Sequence, residues 1–312
     1  MIRSVIFTLL LTMAFSGCLE KETPIPPRPA GDVKSEALVM GTDYLQQLYF
    51  DLGTGQLVGQ NTKLDWDLAF STNDSLPRVY LNGARAMYAA ATGTDDFSVS
   101  PAPADLDFRW DRPSGHVDST AVGDWELAPG QVYVIDRGST SSGGLLGYFK
   151  LKINGMADGK WDVQVGELGD ASGTSIELPV DPNYNFSFFS FPNLNQPEIE
   201  PPAADWDLWF TQYTERLELN GEYIAYLVTG VLINSNGVRV AEDSTMAFEE
   251  IDRDFAEAQT YSEARHEIGF DWKVFDFDLG FIVNADRNYL IQDTEGVFYK
   301  LHFIDFYDAA GN

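Results

Sequence analysis

Few side chains in this 312-residue chain could do chemistry, and they are scattered. Three are histidines (His116, His266, His302) and one is a cysteine, Cys18. Beyond Cys18 the methionines are Met40, Met87, Met156 and Met246. No Gly-Xaa-Ser-Xaa-Gly, His-Glu-Xaa-Xaa-His, phosphate loop or dinucleotide-binding glycine pattern occurs. Isolated histidines pair no nucleophile with a base, so the sequence predicts a protein that is not an enzyme. Asp105 and Asp107, or Asp271, Asp276 and Asp278, offer oxygen ligands of the kind calcium takes. In so acidic a chain they read as solvated surface. Net charge is −28, with no basic patch to offset it. That excludes nucleic acid as a partner and disfavours anionic lipid.

The elements that must position these groups begin with a leader. Met1-Ile2-Arg3 is a short basic start, and Val5 to Phe15 is apolar except for Thr8 and Thr12. That run is shorter than the roughly 20 residues a membrane span needs and fits the apolar region of a signal peptide. Ser16-Gly17 then precedes the chain's sole cysteine. Residues 1–17 therefore read as a lipoprotein signal peptide, with lipid on Cys18; an ordinary signal peptide with an incidental cysteine is the alternative. Residues 18–35 hold Pro24, Pro26, Pro27 and Pro29 among charges. They read as an extended tether that would hold residues 36–312 off a membrane. With Cys18 lipidated no disulfide is possible, so the fold must rest on its core.

Residues 36–312 carry a repeated pattern. Asp65-Trp66-Asp67-Leu68-Ala69-Phe70 returns 140 positions later as Asp205-Trp206-Asp207-Leu208-Trp209-Phe210. Alternation puts Trp66, Leu68 and Phe70 on one strand face and Asp67 on the other, and the second copy likewise, which predicts half-buried strands. Tyr49 lies 17 residues before Trp66, as Phe189 does before Trp206, and each copy is followed by Leu-Asn-Gly, at 81–83 and 219–221. Asn-Gly is a strong hairpin signal. About a dozen short strands with turns every 8 to 12 residues predict a single all-β domain, an antiparallel sandwich or barrel. One helix is predicted within 248–264, where Ile251, Phe255, Ala258 and Tyr261 share helical spacing. Residues 95–129 read as a long decorated loop, of the sort that often carries function.

These motifs, with Ile268-Gly269-Phe270-Asp271-Trp272-Lys273 and Gly296-Val297-Phe298-Tyr299-Lys300-Leu301-His302-Phe303 near the end, occur in an order that resembles the HmuY-like haem-binding lipoproteins of Bacteroidota. The resemblance spans about residues 40 to 308. It implies an all-β domain, an outer-membrane lipoprotein facing the cell surface or the periplasm, and a haemophore that captures haem for a TonB-dependent receptor. It also implies two axial ligands on loops at one end of the fold, since imidazole and thioether suit haem iron. Candidates here are His116, in the long loop near Trp110 and Arg112, with Met87 and Met246 after the two Leu-Asn-Gly segments. His302 reads as a strand-face residue, His266 as part of an exposed polar stretch, and Met156 as packing at a hairpin tip. The competing expectation is a cofactor-free surface lipoprotein that binds a partner protein or a glycan.

Overall fold

Seventeen strands, all paired antiparallel, form among the residues described by this computed structural model, 31–307 apart from 74, 76 and 141. The predicted signal peptide, Cys18 and most of the predicted tether lie outside those residues. The strands form four stacked layers. One outer sheet runs β5 (Tyr88–Ala91), β6 (Val132–Asp136), β7 (Tyr148–Ala157), β8 (Lys160–Glu167), β9 (Thr174–Pro179). The next is ordered β10 (Phe186–Phe189), β3 (Leu68–Ser71), β4 (Val79–Leu81). The third is β12 (Glu222–Ile233), β11 (Leu208–Leu219), β1 (Gln46–Asp51), β2 (Gln56–Thr62). The fourth is β13 (Arg239–Asp243), β16 (Asn288–Gln292), β17 (Phe298–Leu301). A separate hairpin joins β14 (Lys273–Asp276) and β15 (Gly280–Val283).

Three apolar cores fill the gaps between layers. Successive strand residues face opposite ways, so a middle-layer strand feeds two cores. Leu68 and Phe70 of β3 pack toward the five-stranded sheet, and Ala69 packs toward the third layer. In β11, Leu208 packs toward the fourth layer, while Trp209 and Tyr213 pack into the central core. The all-β expectation therefore holds, as a stack of open sheets. The half-buried reading of the two repeated strands does not, because both of their faces are covered. Trp66 and Trp206 precede the strands and turn into the central core, away from Leu68 and Leu208. Asp67 and Asp207 are buried, not solvated.

The repeat is real, but its halves are cross-paired. β1 of the first copy pairs with β11 of the second (Phe50 opposite Leu208), and β10 of the second pairs with β3 of the first (Phe189 opposite Leu68). Equivalent hydrogen bonds define the counterparts and shift the sequence register by one residue, so that Phe189 answers to Phe50 and not to Tyr49. The Asp67 N–H donates to the Phe189 carbonyl, and the Asp207 N–H to that of Phe50. The Phe191 N–H donates to Asp67 Oδ2 at 2.7 Å, and the Leu52 N–H to Asp207 Oδ2 at 2.8 Å.

The sequence comparison of the two Leu-Asn-Gly segments is corrected. The counterpart of Asn82 is Asn234, because Leu68 faces Leu81 and Leu208 faces Ile233. Asn82 Nδ2 donates to the carbonyls of Lys63 and Trp66, both at 2.9 Å. Asn234 Nδ2 donates to those of Ala203 and Trp206, at 2.8 and 2.7 Å. Asn82 has an ordinary negative φ and caps a 3-10 turn, Gly83–Arg85. Asn220 and Gly221 are the hairpin turn of β11 and β12, with φ of 56° and 84°. We expect Asn82→Ala and Asn234→Ala each to cost about 1–3 kcal/mol, since the Lys63 and Trp206 carbonyls lose their side-chain donor while Arg85 Nη1 still serves Trp66 and Asn236 Nδ2 still serves Ala203. Asn220→Ala should cost only about 1 kcal/mol or somewhat more, for a strained exposed turn. Urea unfolding of the three variants checks this.

The predicted helix shrinks to α1 (Arg253–Glu257), capped by Asp252, whose side chain accepts from the Phe255 N–H. Phe248–Glu250 is a 3-10 turn, and Ser262 bridges to Val240 of β13. That strand contact ends helical geometry before the apolar periodicity does. Among the described residues no helix is long and apolar enough to cross a membrane.

Candidate functional site

Where the two middle layers meet, aromatic side chains make up most of the core. Tyr49 stacks on Trp209 at 5.5 Å and meets Trp206 edge-on at 5.0 Å; Trp66 meets Phe188 edge-on at 5.0 Å. A cavity of ≈ 60 Å³ lies among these rings, with Tyr80, Phe186, Glu200 and Arg265 also in its wall. Sites for organic cofactors usually run to about 300–1,000 Å³, so this cavity has room for water-sized guests and not for a macrocycle. Tyr49 Oη, Trp206 Nε1, Trp209 Nε1 and Tyr213 Oη are buried here without a hydrogen-bond partner. Desolvation pushes the Glu200 carboxyl up to about 7, opposed by hydrogen bonds from Phe186, Asn185 and the nearby Arg265 charge.

At the rim of this cavity two loops touch. Residues 111–121 hang from β4. Asp111 Oδ2 accepts from the Leu81 N–H at 2.6 Å, its Oδ1 accepts from the Ala121 N–H at 2.7 Å, and Tyr80 Oη donates to the Gly115 carbonyl at 3.1 Å. Desolvation lifts Asp111 to about 6 despite those bonds. Residues 265–269 hang from β12. The Ile233 N–H donates to the Arg265 carbonyl, and Val231 and Gly269 exchange both backbone bonds. That bridge needs glycine on both sides. A Cβ on Gly230 would run into the Gly269 carbonyl, and Gly269 itself has φ +67°. β4 and β12 are equivalent strands of the repeat, so the internal symmetry itself brings these loops to one rim. Contact is made at Gly115, where an added Cβ would lie 3.1 Å from Arg265 Cδ. The Arg265 guanidinium then lies over Phe186, Tyr80 and Trp209 at 5.4, 5.7 and 5.9 Å from the ring centroids.

His116 follows Gly115, and His266 follows Arg265. His116 is exposed at the N-cap of the 3-10 turn Val117–Ser119, and its carbonyl accepts from the Ser119 N–H and Oγ. His266 is half-buried, and its Nδ1 is buried without a partner. The rim thus carries two imidazoles on contiguous loops, half-buried aromatic faces at Tyr80 and Phe186, and a cation, Arg265. This donor set suits a planar aromatic ligand with a metal centre and an acidic edge.

The other sulfur and imidazole candidates stand elsewhere. Met87 is 1 % exposed in the core beneath the five-stranded sheet, out of reach of any external ligand. Met246 packs on Ala241, Ile251, Ala256 and Leu290. Met156 packs at the edge of the first core. His302 stacks on Phe248 at 4.0 Å and 17°. His266, read from its polar neighbours as exposed surface, is half-buried, because the bonds of Arg265 and Gly269 to β12 pin its loop at the rim. Among the described residues no three His, Cys, Asp or Glu side chains come together to hold a metal ion.

A family model described as HmuY protein matches residues 43–312. No curated protein and no solved structure matches the chain.

Proposed function

The chain belongs to the HmuY family, a family of haem-binding, non-enzymatic proteins, and from that premise we propose that it captures haem at the rim formed by residues 111–121 and 265–269. The observation that carries this reading is the Gly115–Arg265 contact: His116 and His266 each follow one of the two touching residues, on loops held by equivalent strands. His116 and His266 would supply the axial imidazoles. Tyr80 and Phe186 would take the macrocycle's apolar face, and Arg265 would neutralise a propionate. The macrocycle would stay at the surface, because the cavity beneath is too small to admit it. When bound, haem supplies iron chemistry that the protein tunes through ligand identity and burial. A cargo protein needs only to hold and release it.

The remaining parts of the proposal concern place and destination. The apolar leader before Cys18 and the proline-rich residues after it support a lipid-anchored protein of the outer membrane. A haem carrier there would pass its cargo to a TonB-dependent receptor.

Titrating the purified chain with haemin tests the site. We expect a red-shifted Soret band that saturates at one haem per chain. His116→Ala and His266→Ala should each weaken binding about tenfold or more, on the scale of a lost ligand partner. Met87→Leu and Met246→Leu should leave the spectrum unchanged. Unaltered spectra in both histidine variants would remove the rim from consideration.

A further inference from the structure

The β14–β15 hairpin carries five exposed apolar side chains, at its tip and along its strands. Phe277 at its tip is 96 % exposed and Leu279 is 73 % exposed; Val274, Phe275 and Ile282 are exposed on the strands. Exposed clusters of this kind usually mark an interaction site. Phe275 packs edge-on to both Phe277 and Phe281, at 5.6 and 5.2 Å, so the rings form one unit.

The hairpin is held firmly at both ends. Asp276 Oδ1 accepts from the N–H groups of Asp278 and Leu279, closing the turn that carries Phe277 outward. The Phe281 N–H donates to Tyr307 Oη at 2.9 Å, and the Asn284 N–H to the Trp272 carbonyl at 2.8 Å. Lys273 at the base is buried. Its Nζ donates to the Thr229 carbonyl at 2.6 Å and lies 4.1 Å from the Trp272 ring centroid. The base is therefore part of the core, and the tip is a preformed projection.

Charge identifies the occupant. Asp276 and Asp278 interleave with the apolar side chains, and the only cation of the hairpin is the buried Lys273. Anionic lipid is repelled by these carboxylates and by the net charge of −28. A second copy of the chain would set the same carboxylates against each other. We propose that this hairpin inserts into a partner protein whose surface offers an apolar pocket bordered by lysine or arginine. The complementarity is that of a hot-spot anchor, with aromatic residues central and charge at the rim. The proposal does not depend on haem binding.

The test uses the full-length chain and a labelled synthetic amphipathic helix of leucine and lysine as the probe, read by fluorescence anisotropy. The chain should bind it, and Phe277→Ser combined with Leu279→Ser should weaken binding tenfold or more without changing the melting curve. Asp276→Asn combined with Asp278→Asn should weaken it severalfold and flatten its salt dependence. Equal binding by the Phe277/Leu279 variant would overturn the proposal, since net charge alone would then suffice, and so would no binding at all. Two further measurements decide against it in other ways. Flotation with neutral phosphatidylcholine vesicles that the same variant abolishes would make the occupant a bilayer. A concentration-dependent dimer abolished by that variant would make it a second copy.

Discussion

Replacing Asp67 by Asn is expected to lower the unfolding free energy by about 3–5 kcal/mol, the cost of breaking a buried ion pair from one side. Asp67 is wholly buried, and its Oδ1 accepts from Arg85 Nη1 at 2.6 Å and Arg137 Nε at 3.0 Å. Arg85 and Arg137 are themselves buried. Each reaches Asp67 from a different segment, Arg85 from the turn after β4 and Arg137 from the end of β6. An amide in place of the carboxylate keeps the shape and can still accept from the Phe191 N–H, yet it leaves two guanidinium charges uncompensated in the core. Urea unfolding at neutral pH measures the effect. A loss below about 1 kcal/mol, the range of exposed pairs, would mean that the two arginines find other partners.

The second large effect has the opposite sign and comes from the equivalent residue. Asp207 sits in the same position of the other half and accepts the same kind of backbone bond, from Leu52. No ion pair among the described residues reaches it. Desolvation raises its carboxyl to about 7, with Asp51 and Asp293 adding like charge, against the Leu52 bond. The folded state then holds a proton that the unfolded chain, with an ordinary aspartate, releases near pH 4. Between those values the folded state binds more protons, so stability falls as pH rises from about 4 to about 7 and levels off above. A shift of about three units corresponds to roughly 4 kcal/mol at 1.36 kcal/mol per unit, an upper bound for a real site. Glu200, also raised to about 7, slopes the same way. Asp207→Asn should therefore stabilise the chain at pH 8 by on the order of 2–4 kcal/mol and leave it nearly unchanged at pH 4. Denaturation midpoints at the two pH values check it. A destabilised variant at pH 8 would show that a cation or a compensating network serves Asp207 after all.

These two aspartates also show what could be read in advance. The Trp-Asp-Leu repeat was plain in the sequence, because the types and spacing recur together. Strand periodicity says which residues share a face, however, and not which strands pair. The exchange that sets β1 beside β11 and β10 beside β3 leaves no local mark. Alternation also suggested that Asp67 and Asp207 face water; both are buried because a sheet lies on each side of their strands. Asn82 and Asn220 share a Leu-Asn-Gly context and do different work, one as a buried donor to two carbonyls and the other as a left-handed turn residue. His116 was legible as an isolated imidazole in a long irregular loop. The burial of His266 was not, because Arg265 and Glu267 on either side read as surface, and it is the long-range bonds from Ile233 and Val231 that draw the loop onto the rim. Met87 and Met246 follow turn signals at suggestive places, yet one fills the first core and the other packs on Leu290.

The central claim is that the two histidine loops together hold one haem. The most direct measurement is the electron paramagnetic resonance spectrum of the chain loaded with one equivalent of haemin. The account predicts a low-spin ferric signal of two imidazole ligands, converted to high-spin when His116 and His266 are both replaced by alanine. A high-spin spectrum in the unaltered chain, or a low-spin one that survives the double replacement, would contradict it.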